Sequence, residues 1–218
     1  MIFVNMNFCN CHTHTSTNPD WEILSPDFID LPTHFHSIGI HPWKVNEINR
    51  EQLEDVLLAH TTDKTVAIGE IGLDRLKGPD LDLQIAVFEK QIDFSEKVAL
   101  PVILHCVKAW NELIVVKRKK NPKQTWIYHG FNKANLLEEV LKEHVVISIG
   151  TAIFENAKLQ NVVAKIPNEM LLLETDDSAI SIEKVYEKVA EIKGITLVLL
   201  REIIEQNCKR IFPKWHIG

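Results

Sequence analysis

Cys9-Asn10-Cys11-His12-Thr13-His14 ends the first apolar run of the chain, residues 2–8, and the reading of this hexapeptide decides the fold. Further short apolar runs at 35–40, 65–69, 101–104, 124–128, 144–150 and 170–173 alternate with longer segments of helical period, the pattern of a parallel α/β protein. Trp21-Glu22-Ile23-Leu24-Ser25 supplies an eighth strand candidate. Strands that are apolar throughout, with helices between them, imply a sheet covered on its faces, either doubly wound or closed into a barrel. A doubly wound nucleotide binder needs a glycine-rich turn after its first strand, and the hexapeptide contains no glycine. The expected fold class is therefore α/β, a compact TIM-like (β/α)8 barrel. Only about ten residues separate the first run from Trp21, too few for a crossover that carries a helix, so the second β/α unit is expected to be abbreviated.

Helix candidates fill the gaps at 49–60, 81–100, 110–120, 133–143, 156–165, 182–193 and 196–212. Leu53, Val56 and Leu57 share a face of the first, and Ile85, Phe88 and Ile92 share a face of the second. Gly194 suits a helix stop, and Thr196 is placed to cap the helix after it.

The 218 residues, 45% hydrophobic and 25% charged with nine prolines and eight glycines, exclude disordered and collagen-like classes. No Gly/Ser/Pro-rich or highly charged linker interrupts the chain, so one domain over 1–218 is expected. No apolar run reaches the roughly 20 residues of a membrane helix and no secretory leader is evident, which predicts a cytoplasmic protein with no membrane partner. Cys9, Cys11, Cys106 and Cys208 fit no zinc-ribbon spacing and are read as reduced thiols. A net charge of −6 argues against coating nucleic acid through bulk charge, while leaving room for an enzyme that grips a few phosphates locally. The basic run at 117–123 reads as cations complementing a helix C-terminus on a solvated surface.

Strand after strand then ends in an ionisable residue. His12 and His14 alternate to one side of the first strand. The later runs lead into His41, Glu70, His105, His129 and Asp176. Taken singly, a histidine here reads as a hydrogen-bonded side chain and a carboxylate as a helix cap. In a parallel barrel, however, all of these positions reach one C-terminal mouth, where such a gathering is costly unless a cation organises it. Four histidines and two carboxylates suit two divalent ions, with zinc, magnesium and manganese all compatible. No lysine stands at a strand end to form a carbamate bridge, so Glu70 is the bridging candidate. Asp176 fits as a ligand and as proton acceptor for an attacking water.

These residues resemble the TatD-related metal-dependent hydrolases, a branch of the amidohydrolase-like barrels that includes deoxyribonucleases. The matching motifs are Cys11-His12-Thr13-His14, Gly39-Ile40-His41-Pro42, Ala67 to Asp74 (AIGEIGLD), Leu100 to His105 (LPVILH), Tyr128-His129-Gly130-Phe131, Leu173-Glu174-Thr175-Asp176 and Asn207 to Phe212 (NCKRIF). The resemblance implies that His12, His14, Glu70 and Asp176 hold one metal and that Glu70, His105 and His129 hold the other. It also implies a catalytic His41 near a scissile phosphate, with Asp74 and Lys108 supporting the substrate mouth. Cys106, although it follows a ligand, is read as a packing residue. The implied activity is deoxyribonuclease chemistry on DNA or short oligonucleotides, with no obligate protein partner.

The chain departs from the family pattern in three places. Asn10 stands where the family usually has aspartate, the second β/α unit is truncated between Thr15 and Pro32, and Asp177-Ser178-Ala179-Ile180-Ser181 replaces a proline-rich basic loop. Two other functions compete: hydrolysis of small phosphate esters or of amide or lactone bonds, and a metal-binding barrel with little catalysis that acts through interactions.

Overall fold

Eight parallel strands follow one another around the sheet in chain order, each hydrogen-bonded to the next. They are β1 (Asn10–Thr13), β2 (Glu22–Leu24), β3 (His36–Ile38), β4 (Thr65–Asp74), β5 (Val102–Val107), β6 (Trp126–Tyr128), β7 (Val146–Ile149) and β8 (Leu171–Leu173). The structure is a computed structural model and describes residues 6–26 and 33–217. A parallel bridge between Thr13 and Asp176 joins the two ends of the sheet, and Asp176 N donates to His12 O at 3.1 Å. The result is a nearly closed TIM-like barrel whose strands are buried outside by helices and inside by one another's side chains, as apolar strands require.

The helices are α1 (Leu53–Ala59), α2 (Leu81–Val98), α3 (Trp110–Lys120), α4 (Leu137–Lys142), α5 (Ala157–Val163), α6 (Ile182–Lys193) and α7 (Leu197–Ile211). Leu200, Ile204, Cys208 and Ile211 form the buried stripe of α7, and full burial of each such aliphatic side chain is worth roughly 1.5–3 kcal/mol. Thr196 Oγ1 accepts from Leu199 N at the start of α7, and Gly194 ends α6 in the left-handed conformation at φ 65°. Asn207, within the C-terminal motif, donates to the carbonyls of Asn168 and Leu171 at 2.6 and 2.9 Å, which ties α7 to the foot of β8. No helix among the described residues is long and apolar enough to cross a membrane.

Two strand expectations are corrected. Of the apolar run at 2–8, residues 2–5 lie outside the described residues and residues 6–8 carry no ladder pairing, and β1 begins at Asn10. The reason is packing below the barrel, where Phe8 meets the Tyr186 ring edge-on at 4.8 Å and Tyr186 Oη donates to Cys9 O. The run at 65–69 extends through Asp74, so Glu70 lies inside β4 and not at its end. Continuation past Glu70 brings β4 against β5 as far as Asp74 and Val107. That close approach needs Gly72, with φ 147°, where an added Cβ would stand 2.0 Å from His105 O.

As expected, the second unit is abbreviated. Residues 14–21 connect β1 to β2 without a helix, held by Glu22, whose carboxylate accepts from Ser16 Oγ, Thr17 N, Thr17 Oγ1 and Asn18 N. Part of the β2 to β3 connection, 27–32, lies outside the described residues. The basic run lies at the C-terminus of α3, with Arg118 paired to Glu143 just after α4 and Lys119 and Lys120 paired to Glu89 and Asp93 on α2.

Asn10, the departure from the family pattern, has a structural use. Its amide donates to Thr175 Oγ1 at 2.8 Å and its carbonyl oxygen accepts from Thr175 N at 3.1 Å, across the seam where the barrel closes. Asn10→Ala removes both side-chain contacts across the seam and leaves the buried Thr175 N–H only its long contact to His12 O at 3.4 Å, and a loss of roughly 1–3 kcal/mol is expected in denaturant unfolding. All four cysteines are buried and free, and burial holds the thiols of Cys11, Cys106 and Cys208 above their ordinary range. Native protein is therefore expected to resist a thiol-specific colorimetric reagent that reacts fully once the chain is unfolded.

Candidate active site

Strand ends and near-ends at the C-terminal side of the barrel deliver His12, His14, His41, Glu70, His105, His129 and Asp176 to one place. Glu70, almost fully buried, stands at the centre. Its Oε1 lies 2.6 Å from both His105 Nδ1 and His129 Nε2 and 3.6 Å from His41 Nε2. Its Oε2 faces the opposite side, 3.6 Å from His12 Nε2 and 3.8 Å from His14 Nε2. Asp176 Oδ1 completes that second side at 3.4 Å from both His12 Nε2 and His14 Nε2. The expected residues thus come together, and one carboxylate faces two separate sets of imidazoles.

Asp176 adopts a left-handed backbone at φ 56°, a conformation aspartate tolerates better than most residues. Its amide and carbonyl are spent closing the barrel on His12 and His14, so its carboxylate is turned to the cluster.

Neighbouring groups set the orientation of each ring. His14 Nδ1 lies 2.9 Å from Ser25 O, a contact in which Nδ1–H donates and Nε2 keeps its lone pair for the cluster. Asp74 Oδ2 lies 3.2 Å from His105 Nε2 and plays the same part there, turning Nδ1 inward. Glu174, fully buried, accepts from Gly130 N at 2.7 Å and approaches His129 Nδ1 at 3.4 Å, leaving Nε2 inward. His41 is different: Trp43 N donates to its Nδ1 at 3.2 Å, so a neutral His41 carries its proton on Nε2. It faces the cluster as a donor.

The electrostatics follow from this crowding. Burial alone would raise the Glu70 carboxyl, but the charge of His129 and the surrounding imidazoles of His105 and His41 hold it well below the usual range. Burial opposes charge on His129 too, yet Glu70 and Glu174 lift it well above the ordinary histidine value. For Asp176 burial is outweighed by the His12 and His14 imidazoles that face it at 3.4 Å, and its carboxyl is lowered. His14 is raised by its contact with Asp176, whereas burial lowers His41.

A divalent cation fits this arrangement. Both ring nitrogens of the buried His12 lack a hydrogen-bond partner, a cost that a metal at Nε2 removes in part. Three overlapping groups, His12–Glu70–His129, His12–His14–Asp176 and His41–Glu70–His105, each hold their ligand atoms within 4.8 Å of one another. Imidazole and carboxylate donors suit zinc, manganese and iron, and the oxygens admit magnesium. A cavity of about 310 Å³ opens over the cluster, walled by Ser25, Pro26, Trp43, Lys44 and Asp177.

Of the two residues expected to support the substrate mouth, Asp74 stands behind a ring of the cluster and Lys108 lines an adjoining cavity. Asp74 is buried behind His105, where it also accepts from Trp43 Nε1 at 2.7 Å and from Leu76 N and Lys77 N. Lys108 lines a neighbouring cavity together with Cys106. Sequence reasoning missed Trp43, Glu174 and two buried glutamines of α2. Gln91 accepts from Ile40 N at 2.6 Å and donates to Ile40 O, fixing the approach to His41. Gln84 holds both backbone groups of Asp74 in the same way. Their only signal is polarity on the inward face of an amphipathic helix.

The profile of the family described as TatD related DNase matches residues 8–213. The chain belongs to this family. It is 32% identical to the uncharacterized metal-dependent hydrolase YabD of Bacillus subtilis over 197 residues, 82% of this chain and 77% of that one. Human deoxyribonuclease TATDN3 is 25% identical, over 81% of this chain and 71% of its own. Among solved structures, the TatD homologue YjjV of Escherichia coli superposes with a TM-score of 0.72 at 26% identity, covering 82% of this chain and 76% of that one. The TatD barrel described here is accordingly a metal-dependent hydrolase acting on ester bonds.

Proposed function

We propose that this TatD protein cleaves phosphodiester bonds in DNA with two divalent ions, zinc, magnesium or manganese, held across Glu70. The observation that carries the reading is the division of Glu70, with Oε2 toward His12 and His14 and Oε1 toward His105 and His129. His12, His14, Glu70 and Asp176 would hold one ion, and Glu70, His105 and His129 the other. When bound, such ions lower the pKa of a water and polarise a phosphoryl oxygen. Asp176, kept ionised by His12 and His14, takes the proton of the attacking water. His41 presents Nε2–H to the phosphoryl group and stabilises charge as it builds on oxygen. Asp74 and Glu174 hold the His105 and His129 rings in the tautomers that leave an inward lone pair free for a ligand.

DNA as substrate is supported by the family description and by the name of the human relative TATDN3. A second human relative, 27% identical over 88% of this chain, is named a 3'-5' RNA nuclease, TATDN2, which makes RNA the informative comparison. The short path from Asp176 to α6, Asp177 to Ser181, carries no proline-rich basic loop, and this favours short or single-stranded ends. The test is a profile of metal-loaded protein on single-stranded DNA, duplex DNA, RNA and aryl phosphate esters. Cleavage of DNA is expected, and turnover of small esters with every nucleic acid left intact would overturn the substrate assignment.

Glu174→Gln removes the charge behind His129 while keeping the acceptor for Gly130 N. Metal affinity is expected to fall by roughly 10- to 100-fold in competition with a chromogenic chelator, with little change in the unfolding midpoint of metal-free protein.

A further inference from the structure

Beside the histidine cluster lies a second cavity of about 320 Å³ that the reaction as described does not use. It opens at the same end of the barrel as the cluster: Lys108 and Lys133 stand in the connections that follow β5 and β6, the strands whose C-terminal ends deliver His105 and His129, while Cys106 and Tyr128 line it from the opposite face of those strands. Its polar lining is cationic and amidic: Lys108, Lys133, Asn111 and Asn135, all exposed, with Arg75 at one side. Arg75 is occupied by Glu112, the one carboxylate in the wall, and donates from Nε to Lys108 O at 3.2 Å. The ammonium groups of Lys108 and Lys133 have no carboxylate partner among the described residues. In a chain of net charge −6, two unneutralised lysines converging on one cavity beside a carboxylate-rich centre are a local reversal of the overall field.

We propose that this cavity is a subsite for the phosphodiester group flanking the scissile one, so that the TatD barrel engages a single strand at two phosphates. The proposal rests on the phosphodiesterase reading above. Lys108 and Lys133 neutralise the flanking phosphate, and the carboxamides of Asn111 and Asn135 donate to its oxygens or to the sugar. Electrostatic gripping of this kind carries no base preference, and it makes binding salt-dependent.

The test is fluorescence anisotropy of a labelled single-stranded oligodeoxynucleotide with the full chain in chelator, which reads binding without turnover, repeated over a range of salt. Lys133→Ala is expected to weaken binding roughly five- to tenfold and to reduce the log–log salt slope by about 0.7, with Lys133→Glu weakening it further and Lys133→Arg restoring it. Lys133 is exposed, so the fold is retained. With metal-loaded protein, Lys133→Ala is expected to raise KM for the oligonucleotide far more than KM for an aryl phosphodiester, leaving kcat on the oligonucleotide within twofold. Unchanged affinity and salt slope in Lys133→Ala and Lys133→Glu would overturn the subsite, whatever the activity. Weakened binding of inorganic phosphate with oligonucleotide affinity intact would equally overturn it. Absence of DNA cleavage alone, with the anisotropy effects present, would count against the reaction and not against the subsite.

Discussion

Asp176→Asn is expected to lower kcat on DNA or on an aryl phosphodiester by roughly 10²- to 10⁴-fold, the range associated with a positioned general base. The substitution preserves size and one carbonyl oxygen. The backbone contacts of residue 176, which accepts from His14 N and donates to His12 O, do not involve the carboxylate, so the barrel seam is kept. What disappears is the charge that His12 and His14 stabilise at 3.4 Å, and with it the basicity needed to take a proton. Steady-state kinetics at saturating metal, with bound metal measured on the same sample, separate the effect from metal loss. Activity within threefold of wild type at equal metal content would remove Asp176 from the proton-transfer role.

Glu70→Gln is expected to abolish metal binding and activity together and to destabilise the metal-free barrel. Glu70 is buried and its Oε1 is the shared partner of His105 and His129, so the change strips a charge from the centre of a desolvated cluster. Breaking a buried pair by removing one partner costs about 3–5 kcal/mol, whereas two separate exposed pairs would cost far less. At this chain length each kcal/mol moves the melting temperature by about 2–4 °C, so calorimetry of chelator-treated protein should show a fall of roughly 6–20 °C. An unchanged melting temperature would mean that Glu70 is not the counter-charge of the cluster.

Much of this was readable in the chain. Helical periodicity placed α3 and α6 at their observed bounds, because their apolar stripes are unbroken and Asn121 and Gly194 stop them in left-handed caps. Recurrence of ionisable residues after apolar runs located the cluster, since parallel strands deliver such positions to one end. Strand limits were harder. Among the described residues of the first run, the apolarity of Phe8 reports packing against α6, not ladder pairing, and continuation of β4 past Glu70 depends on Gly72 meeting β5, a contact far apart in sequence. Glu174 was hidden as a spacer inside the motif that ends at Asp176, and only the fold shows it beneath His129 and Gly130. The buried position of Asp74 was likewise unreadable, because it depends on Trp43 and Gln84 reaching it from separate elements.

The central claim is that one cluster, divided by Glu70, holds two divalent ions. Elemental analysis of the purified, metal-reconstituted chain tests it most directly. About two equivalents of zinc, manganese or magnesium per chain are expected, falling to about one in His105→Ala and in His129→Ala. Less than one equivalent in the wild-type chain, or two tightly held equivalents in both variants, would contradict it.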